Sequence, residues 1–151
     1  MSEYLDDAKE DFKRIDHLIY VTLKYSRTVD IFPNIFGRMI SFYDHLIEGF
    51  LQKLKEQGKI FEIPPAPMLR CELLKNSFKD DLEMFKHLDL YILLRKLSKS
   101  TYTRSNEFRR HVTMTATLDD GQIVKVDIDL IHGYYTMLKE FLTHVESILD
   151  D

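Results

Sequence analysis

Apolar residues recur along this chain at helical spacing for most of its length and at strand spacing for one stretch near the end. Leu5, Ala8, Phe12, Ile15, Ile19 and Thr22 fall at alternating steps of three and four. That places them on one stripe of a helix running from about Ser2 to Arg27. Asp6, Asp7, Glu10 and Asp11 crowd its opening turns, where the helix dipole favours negative charge. Thr28 to Phe32 reads as a turn, and Pro33 suits the opening of a second helix because its missing N–H is not needed there. Phe32, Ile35, Phe36, Met39, Phe42, Tyr43, Leu46, Phe50 and Leu54 give that helix a broad apolar face, and Lys55 followed by Gly58 ends it.

Lys59 to Pro67 holds three prolines within four residues, which forces extended backbone and predicts a strap crossing the helices with its apolar residues against them. A short helix is expected from Pro67 to about Leu74. Asp80 with Glu83 three residues on reads as a capping box for a third long helix carrying Leu82, Phe85, Leu88, Tyr91, Ile92 and Leu97.

The period then changes. Val112 to Leu118 alternates apolar and polar, as does Val124 to Asp129, with Asp119-Asp120-Gly121 between them. A three-residue loop with Gly121 left-handed pairs Ala116 with Val124, Met114 with Val126 and Val112 with Ile128, keeping one face apolar. A last helix is expected over Ile131–Leu149, with Tyr134, Leu138, Phe141, Leu142, Val145 and Ile148 on one face. The predicted fold is mostly α: one domain over residues 1–151, a bundle of about four long helices with a β-hairpin at about 111–129 before the last. A lone hairpin is marginal, so it must pack on the helices or on a second copy of the chain.

Composition supports a folded domain: 151 residues, 44% hydrophobic and 30% charged, enough for a real core. The net charge of −4 argues against bulk attraction to nucleic acid or anionic membrane. One cysteine, Cys71, forms no internal disulfide, and the acidic start is unlike a signal peptide. No apolar run reaches the roughly 20 residues of a membrane span. The expected setting is cytoplasmic, with no membrane partner and no cofactor.

Two groups of residues offer chemistry. Asp16-His17 and Asp44-His45 open two copies of Asp-His-Leu-Ile at a similar level on antiparallel helices, and four such side chains facing one another would bind a divalent metal. Helical phase turns His17, Asp44 and His45 away from the apolar stripes, so solvated faces are the expected outcome. The second group is the stretch from Arg95 to His111, where Arg95, Lys99, Arg104, Arg109 and Arg110 interleave with Tyr102 and Phe108. A basic loop with aromatics suits RNA or single-stranded nucleic acid through phosphate contacts and stacking; the plainer alternative is a solvated connection balanced by the acidic first helix. Nucleophilic catalysis has no support, because the Ser and Thr residues lack a nucleophile-elbow context and the five glycines form no phosphate loop.

Two resemblances bear on these residues. Arg104 and His111, with six residues between them, resemble the Arg-x(4–6)-His motif of HEPN helical-bundle ribonucleases, in which the pair acts on an RNA phosphate at a dimer interface. Ile131-His132-Gly133-Tyr134 is similar to the His-x-Tyr ending of one HEPN branch, with Lys125 where that motif has arginine. Asp16-His17-Leu18-Ile19-Tyr20-Val21-Thr22 resembles the Ala-Asp-His-x-x-Tyr-Val-Thr of the first helix in a group of small archaeal helical proteins, departing at Ile15. Ser105-Asn106-Glu107-Phe108 is similar to the Ser-Pro-x-Glu-Phe before their strand-like segment, departing at Asn106. The archaeal resemblance implies a helical fold and no activity, and it singles out Asp16, His17, Tyr20, Glu107 and Phe108 as a contact surface. With no catalytic constellation and broad aromatic stripes, the leading expectation is a non-catalytic module that forms a homodimer or docks a protein partner. RNA binding, with HEPN-like cleavage by Arg104 and His111, is the alternative.

Overall fold

The computed structural model describes residues 1–150. Helix α1 (Ser2–His17) runs without a break into a π-helical stretch, Leu18–Leu23, and a closing turn, Lys24–Ser26. Its buried line is Ala8, Ile15, Ile19 and Leu23, so Leu23 and not Thr22 carries the stripe to its end. Two successive steps of four would drift off the core face of a regular helix, which turns 100° per residue. The wider π turn keeps Leu23 pointing inward. Arg27 closes the segment in the left-handed conformation, φ 47°, and a single 3₁₀ turn at Val29–Ile31 leads into α2 (Phe32–Glu56). Pro33 lies in the first turn of α2 as its chemistry requires.

Helices α1 and α2 are the principal packing partners in the molecule. Phe32, Phe36, Phe42 and Tyr43 of α2 are fully buried and form the centre of the core with Phe141 and Tyr91 from later helices. Gly49 lets the N-terminus lie close: a Cβ there would stand 3.0 Å from the Tyr4 Cβ.

The proline strap follows α2. Ile60 and Ile63 pack against the core, whereas Phe61 is 96% exposed. Arg70 ties the strap down, its Nε donating to the Pro64 carbonyl at 2.7 Å while its guanidinium meets Glu48 at 3.0 Å. Arg70 lies on α3 (Pro67–Ser77), which runs three residues past the expected end at Leu74. Helix α4 (Leu82–Ser98) is capped by Asp81 and not by Asp80: the Asp81 Oδ1 accepts from the Met84 N–H at 3.0 Å. Its buried face is Met84, His87, Leu88, Leu90, Tyr91, Leu94 and Leu97, and Leu82 is left 77% exposed.

The region after α4 is a three-stranded antiparallel sheet, in which the expected hairpin gains one further strand ahead of it. Strands β1 (Thr101–Ser105), β2 (Thr113–Thr117) and β3 (Ile123–Asp127) lie in the order β1-β2-β3. The β2–β3 register pairs Ala116 with Val124 and Met114 with Val126, as burial of one face demands. Gly121 is left-handed at φ 89° in the connecting loop. Val112, Met114, Ala116, Leu118 and Val126 enter the core. The final helix α5 (Ile128–Asp150) starts directly after β3, three residues earlier than expected, because Asp127 caps it by accepting from the Leu130 N–H at 2.8 Å. Among the described residues no helix is long and apolar enough to cross a membrane.

Candidate functional site

The unforeseen strand β1 reorganises the basic segment. β1 pairs with β2 from Thr101↔Thr117 to Ser105↔Thr113, and its other side is a free sheet edge on which all five residues are exposed. Tyr102 and Arg104 stand opposite Ala116 and Met114 and so share the apolar face. Both nevertheless reach solvent. The Arg104 guanidinium lies 5.8 Å from the Tyr102 ring centre.

The basic residues do not form one platform. Arg95 lies 3.7 Å from Asp44 and donates to the Tyr91 hydroxyl at 3.2 Å, and that hydroxyl in turn donates to Asp44. Lys99 borders a shallow groove of about 220 Å³ with Met68, Ile92 and Lys96. Arg104 meets Asp30 at 2.9 Å and Glu107 at 3.2 Å. Glu107 also accepts from the Thr28 hydroxyl at 2.7 Å, so Arg104 serves to fasten the β1–β2 connection to the turn after α1. Phe108 (76% exposed), Arg109, Arg110 and His111 remain at the tip of that connection. Arg109, Arg110 and His111 form no ion pair among the described residues. The geometry thus gives Arg104 two carboxylate partners and leaves His111 in solvent.

The backbone of this tip is held in rare conformations. Asn106 and Phe108 have φ values of 56° and 68°, which non-glycine residues seldom adopt. The Phe108 N–H donates to the Arg27 carbonyl at 2.8 Å, supplying a partner to an otherwise open helix end.

The residues singled out by the archaeal resemblance fall into two groups, with Glu107 and Phe108 on Thr28 and Arg27 and with Asp16 and Tyr20 against α5. Asp16 accepts from the Tyr135 hydroxyl at 2.6 Å, and Tyr20 sets its ring against His132 and Tyr135. Tyr20 stays 47% exposed, and His17 faces solvent.

The two Asp-His pairs do not converge on a metal. Asp44 is engaged by Tyr91 and Arg95, Asp16 by Tyr135, and His45 turns to Asp11 at 3.3 Å. Asp11 is a buried carboxylate that α2 satisfies, with Ser41 donating at 2.6 Å and the Arg38 guanidinium paired with it at 3.6 Å. Cys71 is buried, and burial pushes its thiol up to about 11, so little thiolate forms near neutral pH.

One polar group in the core escaped the sequence reading. His87 is fully buried, its Nδ1 3.0 Å from the Tyr43 hydroxyl, its ring 4.5 Å from that of Phe141. Glu83, one turn earlier on α4, lies 3.8 Å from its Nε2, and Glu140 of α5 completes the group. The signal was present as Glu83-x-x-x-His87, which puts both side chains on one helix face. A histidine inside an otherwise apolar stripe looks in sequence like a break in the pattern.

No protein-family model, curated protein or solved structure matches this chain.

Proposed function

We propose that this protein is a non-catalytic helical module that self-associates by joining the free edges of two β1 strands. The observation that carries this reading is the edge itself: Thr101–Ser105 is paired on one side only, and all five of its residues are exposed. An edge strand presents unmet N–H and C=O groups that a further strand can pair. The sequence Thr-Tyr-Thr-Arg-Ser is self-complementary about Thr103. Antiparallel pairing centred there sets Tyr102 of one copy opposite Arg104 of the other, on the same face, with no like charges opposed. Two-fold symmetry then closes the assembly as a dimer with a continuous six-stranded sheet. Cytoplasmic residence belongs to the same reading, in keeping with a lone buried cysteine.

Size-exclusion chromatography with light scattering tests the proposal on the wild type and on Thr103→Lys. Thr103 is exposed, so the substitution leaves the fold intact while placing two cations face to face across the two-fold axis. A dimer that becomes a monomer in the variant is expected. A wild type that stays monomeric at high concentration, or a variant that dimerises equally well, would end this reading.

A second reading, RNA binding, is favoured by the exposed tip Phe108 to His111, where a stacking ring adjoins two arginines without ion pairs. Its test is retention of single-stranded RNA at low salt, lost in an Arg109→Ala, Arg110→Ala double variant. Cleavage of the HEPN type would in addition vanish in His111→Ala. It would also require Arg104 to leave Asp30 and Glu107.

A further inference from the structure

Where α4 lies against α5, three potential metal ligands meet at a group with an unused lone pair. Glu83 and His87 are one turn apart on α4, Glu140 faces them from α5, and one ligand atom from each lies within 4.8 Å of the other two. His87 is 0% exposed, and its Nε2 has no hydrogen-bond partner. The Glu83 carboxylate is 3.8 Å away, beyond hydrogen-bonding distance. A buried polar atom left without a partner is costly, and an ion is one way to satisfy it.

The surroundings suit ligation. The Tyr43 phenol oxygen lies 3.0 Å from His87 Nδ1 and can accept from its N–H, which leaves Nε2, 3.8 Å from the Glu83 carboxylate, free to ligate. Metal-binding histidines are commonly oriented in this way through the far nitrogen. Both glutamates are about half exposed, so their side chains can close the remaining distance. Lys86, 3.6 Å from Glu140, is the local cation that a metal would displace. The scaffold is fixed close by, where His144 of α5 and the capping Asp81 of α4 meet at 2.7 Å.

We propose that Glu83, His87 and Glu140 form a binding site for one divalent first-row transition-metal ion. One imidazole nitrogen with two carboxylates suits zinc, manganese or iron(II) better than calcium or magnesium, which take oxygen donors. Three protein ligands leave positions for water at the solvent side.

Zn²⁺ titrated calorimetrically into the full-length protein tests the site, with Co²⁺ absorption as a second probe. One ion per chain is expected. Glu83→Gln and Glu140→Gln, both at exposed positions that leave the fold intact, should each weaken binding about tenfold or more. Since His87 is part of the core, it is followed in the intact protein by imidazole nitrogen NMR, where Zn²⁺ should shift its Nε2 resonance. His17→Ala and His45→Ala should bind as the wild type does. Absence of binding at millimolar Zn²⁺, affinity indifferent to both glutamine variants, or an unshifted His87 resonance would each overturn the proposal.

Discussion

Phe108 donates its backbone N–H to the carbonyl of Arg27 at 2.8 Å, and both residues sit in the left-handed region of backbone space. One hydrogen bond thus locks the end of the first helix to the tip of the β1–β2 connection. Neither residue is the glycine that this conformation favours. Glu107 reinforces the junction through Thr28 and Arg104.

Arg27 follows the last helical turn, the position where glycine is the usual choice. Arg27→Gly is therefore expected to stabilise the protein by about 0.5–1 kcal/mol, since relief of the left-handed strain outweighs glycine's added chain entropy. Urea unfolding measures this. A lower midpoint in the variant would show that the arginine side chain contributes more than its backbone costs.

The opposite substitution is informative in the sheet loop. Gly121 has φ 89° with open space around its Cα. Gly121→Ala should cost about 1 kcal/mol through backbone strain alone, without steric conflict and without altering the β2–β3 register. Amide exchange across Met114 and Val126 would report whether the register is kept.

Burial places the His87 imidazole at about 4 against an ordinary value of 6.5. Between those values the unfolded chain binds a proton that the folded chain refuses, so stability increases with pH there. The contribution is complete above pH 6.5 and is lost as pH falls toward 4, about 2–3 kcal/mol over the window. Urea midpoints measured in chelator between pH 7 and 4 should fall accordingly. In His87→Gln the decline should be shallower, and an unchanged slope would assign the effect to other groups.

Tyr43 holds the near side of the same ring. Tyr43→Phe removes the hydroxyl from His87 Nδ1 and leaves both imidazole nitrogens unpartnered in the core. The expected loss is about 1–3 kcal/mol, the cost of an unsatisfied buried polar group. Thermal unfolding checks it. A near-neutral result would mean that water reaches the ring.

Much of the helical architecture was legible because it rests on burial, which leaves a periodic trace. The aromatic face of α2 and the alternation of Met114, Ala116, Val124 and Val126 are core positions, and their spacing reveals both element and register. β1 left no such trace: Thr101 to Ser105 is exposed throughout, so nothing apolar alternates along it, and it is a strand only because β2 pairs with it. Arg104 looked available for a phosphate, but its partners Asp30 and Glu107 come from a turn distant in sequence and from its own loop. Local charge counting cannot supply such a pairing. His87 was missed for a related reason, since its surroundings are assembled from α2, α4 and α5.

The π-helical stretch at Leu18–Leu23 has a consequence for how this chain can change length. A widened turn is equivalent to one surplus residue held inside a helix. Deleting a single residue there lets the stretch relax to ordinary winding and leaves the flanking turns in phase. The same deletion near Ala8 would swing every preceding side chain by 100° relative to the core. The first helix therefore carries its own splice point, where an insertion or loss can be absorbed locally rather than passed along the rod.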